Sequence, residues 1–481
     1  MLFHFRTGKI SSPQILLGIL ILAAIFLETW NISKAPVEEW DEARRGINAI
    51  SMINRGDYLH YYFLDQPDGF VNKPPLATWL ISISFRLFGY NALALRLHSV
   101  VATIIFFFFS IKIIRLYKDL RFTMIAFSIL ITIKGIIGFH VGRTGDTDSL
   151  LVLFITAAIY YFLKYWDFDD KKSIYFSMIF AGLAFYSKGL AMMLMAPGML
   201  GVIAFSWKRK KLFNKHVLLS MALFIAIVAS WYLLAVIGGK SSATDGKGVE
   251  NLWQGLWQVD GVTRFFSRSF EGGYNPWFLF HVLDSYYNIW NYILYIGVVF
   301  FVVQWLRKKR ISNIHGSRLF QISALLTAGL ALILMLSYNK HRWYLAPGYL
   351  FLSAITAYFI EYLVMKKKWV IYLFIGLVGV TFTKRVVELS RNDTSIKNFL
   401  NDHVTQIHAA DKILVTTEVR QNYILPFIFL NPGKAGLMKD QEIIPPEMNA
   451  IVLTSKNIPG TVTGQLSGYK LVVNNNDPNR E

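Results

Sequence analysis

The stretch "ILLGILILAAIFLETWNISKAPVEEWDEARRGINAI", residues 15–50, decides how the rest of the chain is read. Its first part, Ile15 to Trp30, is a run of mostly apolar residues, close to the roughly 20 that a bilayer-crossing helix needs. Its second part sets Glu38, Glu39, Asp41, Glu42, Arg44 and Arg45 directly beyond that run. The continuation "EARRGINAISMINRGDYL" has an amphipathic helical pattern that ends at Gly56-Asp57. The charges are either the solvated face of a helix with carboxylates at its N-terminal end or part of a site.

Composition favours a membrane protein. The chain has 481 residues, 54% of them hydrophobic, and a mean hydropathy of +0.40. Charged residues make up 16%, against about 25% for soluble proteins. The net charge of +19 does not point to nucleic acid, because the cations bunch between apolar segments. The clusters are Lys112, Arg115, Lys118 and Arg121, then 208–211, 307–310 and 366–368. Such clusters mark cytoplasmic loops facing anionic lipid. The chain has no cysteine, which excludes disulfides, thiolate catalysis and cysteine-ligated metals.

Hydropathy marks eleven spans, at roughly 14–31, 94–114, 122–141, 149–165, 173–188, 189–206, 217–237, 284–305, 319–337, 344–363 and 368–383. With the N-terminus inside and the first helix uncleaved, every basic cluster falls on the cytoplasmic side. The outer loops are then 32–93, 142–149 and 238–283. In the first of these, "PPLATWLISISFRLFGY" suggests a second helix lying along the membrane surface. After about 390, "KILVTTE", "NAIVLTS" and "YKLVV" read as strands of a small α/β domain, 391–481, outside the membrane.

The remaining charges collect on the outer side. They are Asp41, Glu42, Arg44, Arg45, Lys73, Arg143, Asp146, Asp148, Lys188, Arg264, Lys340, His341 and Arg342. Taken singly, each has an ordinary reading, such as a snorkelling lysine or an aspartate turn. Taken together, they suit a sugar carried on a polyprenyl phosphate. Cations stabilise the leaving phosphate, and a carboxylate serves as base for an attacking hydroxyl.

The stretch "DEARRGINAISMINRGDYLHYYFLDQPDGFVNKPPLATWLISISFRLFGYNALALRLHSV" resembles the first outer loop of GT-C glycosyltransferases. It is most similar to that of lipid A 4-amino-4-deoxy-L-arabinose transferases and protein O-mannosyltransferases. The likeness continues in order through "GRTGDTDSLLVLF", "AGLAFYSKGLAMMLMAP", "VDGVTRFF", "YNPWFLF" and "NKHRWYLAPGY". It implies the GT-C fold, with Asp41 and Glu42 as catalytic carboxylates and Asp41 as the general base. Arg44, Lys73, Arg143, Lys188, Arg264, Lys340 and Arg342 fall at cations on the carrier-phosphate side, and Asp146 and Asp148 at a second-loop acidic motif.

Two positions depart from the aminoarabinose transferases. Asn72 stands where they have Glu before Lys-Pro-Pro, and Gly261 stands within "VDGVTRFF" where they have Val-Glu-His-x-x-Arg-Phe. The lost Glu and His are associated with a bound zinc in that family. No cofactor is therefore expected, with a divalent metal at Asp146 and Asp148 as the alternative.

The sequence thus predicts a polytopic α-helical membrane protein of GT-C fold, with a catalytic membrane domain at 1–390 and a small C-terminal α/β domain. It is read as a glycosyltransferase of a bacterial inner membrane, with its site on the periplasmic side. The expected donor is an undecaprenyl-phosphate sugar and the expected acceptor a glycolipid, lipid A, a polysaccharide or a protein. Membrane lipids are its other partners, and nucleic acid is not one. A lipid-linked-sugar transporter and a non-catalytic envelope assembly protein are the alternatives.

Overall fold

The computed structural model describes residues 12–68, 73–138, 140–206, 209–237, 275, 277–307, 317–337, 340–390, 394–438, 444–445 and 448–474. Arg264, Asn72 and the long outer loop as far as residue 274 lie outside the described residues. The chain begins with α1 (Ser12–Thr29), the amphipathic α2 (Asp41–Arg55), a small hairpin of β1 (Tyr62–Phe63) and β2 (Gln66–Pro67), and α3 (Leu76–Phe88). Then come α4 (Ala92–Arg115), α5 (Leu120–Leu130), the single turn α6 (Lys134–Ile137), α7 (Asp148–Phe168), α8 (Ser173–Lys188) and α9 (Ala196–Phe205). They are followed by α10 (Arg209–Leu212), α11 (Lys215–Ile237), α12 (Phe278–Val282), α13 (Trp290–Leu306), α14 (Arg318–Leu336), α15 (Tyr349–Lys366) and α16 (Val370–Leu389).

Eight segments among the described residues are long and apolar enough to cross a membrane, and α3, α5 and α13 are shorter apolar helices. Of the expected eleven spans, 122–141 and 284–305 are not among the eight, the second because its regular α-helix runs only over Trp290–Leu306, and 173–188 and 189–206 are joined in one apolar segment. The segment 122–141 is interrupted after Leu130, where the Thr132 hydroxyl turns back onto the Ser128 and Ile129 carbonyls and α6 restarts as one turn. The segment 173–205 is continuous in hydropathy but breaks at Gly189, which has φ +59°, a conformation glycine adopts without a Cβ clash. On either side of that break α8 packs on α7 and α11, while α9 packs on α14.

One helix is surrounded on all sides. Every residue of α15 from Tyr349 to Ile360 is buried, as expected of a helix that is apolar all round. The outermost helices show the reverse, with Leu22 of α1 and Tyr372 of α16 exposed where lipid would cover them. At one end of the bundle the basic clusters find carboxylates: Lys118 with Glu361 at 2.8 Å, Arg318 with Asp167 at 3.0 Å, and Lys211 with Asp169. At the opposite end α1 and α16 finish together, where Asn31 donates to the Leu389 carbonyl at 2.9 Å.

Beyond α16 lie α17 (Ser395–Ala409), β3 (Lys412–Val415), α18 (Gln421–Phe429), β4 (Ala435–Leu437), β5 (Ala450–Thr454), β6 (Thr461–Leu466) and β7 (Tyr469–Val473). The strands form one sheet in the order β4-β3-β5-β7-β6. Strand β3 pairs in parallel with β4 and β5, while β7 pairs antiparallel with β5 and β6. Alternation along the strands divides the sheet's two faces. Leu414, Val452 and Val472 form one small cluster. Ile413, Val415, Ile451, Leu453 and Leu471 face α17 and α18, and that cluster runs on without a gap into Ala43, Ile47 and Ile50 of α2 and Ile81 and Phe85 of α3.

Candidate active site

Asp41 opens α2 directly after Trp40, whose φ of 64° is rare for a residue with a side chain. A carboxylate in a first helical turn is stabilised by the unpaired N–H groups there. The next residue, Glu42, fixes where this turn sits. Its carboxylate accepts from Arg96 Nε at 2.6 Å, Arg96 Nη2 at 2.8 Å, the Glu38 N–H at 2.7 Å and the Gly145 N–H at 2.8 Å. Arg96 on α4 also donates to the carbonyls of Ile32, Ala35 and Pro36. Both side chains are 1% exposed. Glu42 and Arg96 therefore tie the link from α1, the start of α2, α4 and the second outer loop into one rigid corner.

The second outer loop brings its carboxylates to the same corner. Asp146 is buried and bonds His140 Nδ1, while its other oxygen accepts from the Thr147 N–H at 2.5 Å. Burial opposes its charge, but His140 first and then Lys188 and the Thr147 N–H outweigh it and hold its carboxyl well below the usual range. Burial likewise opposes a charge on His140, and Asp146, Asp148 and Asp41 outweigh it, so its imidazole titrates above its ordinary value. Asp148 is paired with Lys188, from the end of α8. The Lys188 Nζ lies 6.0 Å from the ring of Trp343 and 5.6 Å from that of Tyr344. Trp343 is itself stacked between His140, at 3.5 Å between centroids, and His341, at 4.7 Å.

Asp41 faces this cluster with a carboxylate oxygen 3.8 Å from His140 Nδ1, and its side chain is 45% exposed. Asp41, His140 and Asp146 each offer a ligand atom, all within 4.8 Å of one another. Two carboxylates and an imidazole suit a divalent cation, which would supply positive charge to a phosphate group. The sequence offered Asp146 and Asp148 as the metal pair. Asp148 is instead engaged by Lys188, and His140 completes the set.

The other expected site residues divide. Arg44 turns to the hairpin, where it bonds both oxygens of Asp68 at 2.8 and 2.6 Å and lies 4.9 Å from the Phe63 ring. Arg143 is buried and caps α1, donating to the carbonyls of Leu27, Glu28 and Trp30 at 2.6, 2.9 and 2.5 Å. Burial pushes its guanidinium down to about 10, against the opposing pull of Glu28. Lys73 is half-buried beside Tyr61, whose hydroxyl donates to the Lys73 carbonyl at 3.3 Å. Lys340 is half-buried and Arg342 exposed, on the segment that carries Trp343.

Three residues of this corner were not found from sequence. His140 stands only six positions before Asp146 in the same loop, and that spacing was the available signal. Arg96 and Trp343 sit within quoted motifs, but nothing local marks the partners they meet across the fold.

Comparison with known proteins agrees with this architecture. The family described as dolichyl-phosphate-mannose-protein mannosyltransferase matches residues 72–233. An undecaprenyl phosphate-alpha-4-amino-4-deoxy-L-arabinose arabinosyl transferase of Proteus mirabilis is 24% identical over 353 residues, 71% of this chain and 60% of that protein. The chain thus aligns with less than two thirds of that relative's length. The crystal structure of ArnT from Cupriavidus metallidurans bound to undecaprenyl phosphate superposes with a TM-score of 0.73 at 12% identity, covering 95% of this chain and 98% of that one. The oligosaccharyltransferase of Archaeoglobus fulgidus superposes with a TM-score of 0.58 at 13% identity, covering 90% and 65%. The chain has the GT-C fold and, in sequence and architecture, resembles the aminoarabinose transferases and protein O-mannosyltransferases.

Proposed function

We propose that the protein is a glycosyltransferase that moves a sugar from a polyprenyl phosphate carrier to a hydroxyl or phosphate acceptor, with Asp41 as general base. One observation carries the assignment of the base. Asp41 is the carboxylate that faces His140 while remaining accessible, with 45% of its side chain exposed, whereas Glu42, Asp146 and Asp148 are buried and paired. A base must reach the proton it removes.

For a hydroxyl acceptor, Asp41 takes the O–H proton as the oxygen bonds to the anomeric carbon. The bond from that carbon to the carrier phosphate breaks on the opposite face, and the electron pair leaves with the phosphate. The outcome is inversion. Lys73, Lys340 and Arg342 are the cations assigned to the leaving phosphate, together with Arg264. Lys188 acts through Asp148, and Arg44 through Asp68, in holding the corner in shape. The resemblance to undecaprenyl-phosphate-dependent enzymes supports an undecaprenyl phosphate sugar as donor and the outer face of a bacterial inner membrane as the place.

The test is transfer by purified protein in nanodiscs from a panel of radiolabelled polyprenyl phosphate sugars to envelope lipids and proteins. Asp41→Asn is expected to lower the rate by about 10²–10⁴-fold while leaving carrier binding intact. A variant that transfers at the wild-type rate would remove Asp41 from the chemistry. Absence of transfer by wild type from every donor would favour a transporter or an assembly protein.

Transfer is expected to persist in EDTA, because His140 compensates Asp146 and Lys188 compensates Asp148. Loss of transfer that one divalent ion restores would instead assign that ion to Asp41, His140 and Asp146.

A further inference from the structure

The hairpin of β1 and β2 is fastened to α2 from its turn to its open end. At the turn, Ser51 Oγ donates to the Leu64 carbonyl at 3.1 Å. Asn48 Nδ2 donates to the Tyr62 carbonyl in β1 at 2.8 Å, and to the Asp68 carboxylate just past β2 at 2.9 Å. Arg44 holds both oxygens of that carboxylate. The open end is closed by Tyr61, whose carbonyl accepts from the Asp68 N–H at 2.8 Å. The side chain of Tyr61 reaches further along the chain, where its hydroxyl donates to the Lys73 carbonyl at 3.3 Å. One residue thus bonds the end of the hairpin and the lysine that follows it.

Tyr61 is itself held firmly. It is buried, and the buried Arg45 of α2 sets its guanidinium 5.9 Å from the Tyr61 ring. Burial raises the phenol above its ordinary value against the pull of Arg45, so the hydroxyl keeps its proton and stays a donor. Lys73 is constrained from its other side as well. Pro74 follows it, and a residue before proline is steered to extended backbone. Pro75 is the N-cap of α3, so two residues of fixed φ join Lys73 to that helix. The main chain of Lys73 is therefore held by Tyr61 on one side and by α3 on the other. A lysine side chain is a point charge on a flexible stem, and a main chain fixed in advance lowers the ordering cost of binding an anion.

We propose that Tyr61 is a positioning residue, which acts through the main chain of Lys73 to present its ammonium to the phosphate of the polyprenyl donor. This rests on the assignment of Lys73 to the carrier phosphate. Tyr61 touches neither donor nor acceptor. It sets how tightly the donor is held and leaves the chemistry at Asp41 unchanged.

The experiment measures the affinity of the full-length protein in detergent for farnesyl phosphate, a short polyprenyl phosphate, by titration calorimetry, with the KM and kcat of sugar transfer beside it. Tyr61→Phe is expected to weaken binding by roughly 2–10-fold, the worth of one net hydrogen bond, and to raise donor KM with kcat unchanged. Lys73→Ala should weaken binding too. Adding Tyr61→Phe to Lys73→Ala should then cost nothing more, because the two residues act as one. Pro74→Ala loosens the same main chain from the α3 side and should also weaken binding, which keeps the proposal testable if Tyr61→Phe does not fold. Unchanged affinity in Tyr61→Phe, or an equal loss with and without Lys73, would overturn the positioning role and leave the transferase reading standing. A fall in kcat and melting temperature at unchanged affinity would likewise reduce Tyr61 to a structural residue. Weakened binding in these variants, without sugar transfer by wild type from any donor, would leave the role of Tyr61 standing and sink the transferase reading.

Discussion

Arg96 and Glu42 show how a charge pair can be structural beside a working carboxylate. The sequence marks Glu42 as catalytic because it adjoins Asp41, yet both of its oxygens are fully engaged. Removing one member of a buried pair leaves the other charge uncompensated, which costs about 3–5 kcal/mol. Arg96→Gln is therefore expected to lower the melting temperature sharply in a thermal unfolding series. Arg96→Lys should rescue little, since a point charge cannot serve three carbonyls and a carboxylate at once.

His140 gives a second prediction at this scale. Its folded pKa lies above its unfolded value near 6.5. Its stabilising contribution is thus fully present below that unfolded value and is lost as pH rises through the folded one. Melting temperature should fall across that window in wild type and stay flatter in His140→Gln. Asp41 was legible because an aspartate after a first span is unusual. His140 was not, because its role depends on a loop folding back on α2.

Among the described residues, α9 and α14 meet backbone to backbone at two glycines. A Cβ at Gly329 would fall 2.1 Å from the Gly198 backbone nitrogen, and one at Gly198 would fall 2.6 Å from Leu326 Cα. Small residues let membrane helices meet backbone to backbone. The neighbour is main chain, so it cannot step aside. Gly329→Val is expected to cost at least the 1–3 kcal/mol typical of overpacking, read as a lower melting temperature and a poorer yield of folded protein. Hydropathy located these helices because each one's apolar length is written locally. It also divided 173–188 from 189–206, where the chain breaks at Gly189, but it could not show that α9 meets α14, which lies more than a hundred positions further on.

Over the whole molecule, the part read from sequence as a separate C-terminal unit shares its core with the helix that carries Asp41. Leu425 of α18 sits against Gly46 of α2, where an added Cβ would meet its Cδ2 at 2.4 Å. Arg420 pairs with Glu39 at 2.5 Å. The Leu437 N–H bonds Asp65 at 2.9 Å. The strand pattern announced the sheet, but periodicity says which face is apolar and not what covers it. Deleting 391–481 would expose Ile47, Ile50 and Phe85 together, a patch of the kind that drives association. The truncated protein is expected to aggregate on size exclusion and to lose transfer toward every acceptor alike. A monodisperse truncation that only changes acceptor preference would show that the sheet selects acceptors without supporting α2.

The stacking of Trp343 between two imidazoles also has an optical consequence. An excited indole passes an electron readily to a protonated imidazole, and its emission is then extinguished. Trp343 should therefore be dark while His140 is charged and brighten as that proton leaves. The chain has 13 tryptophans, so the signal is the difference between wild type and Trp343→Phe. Recorded against pH and repeated in a His341→Gln background, it would let light follow the His140 proton at the corner beside Asp41, with no label attached.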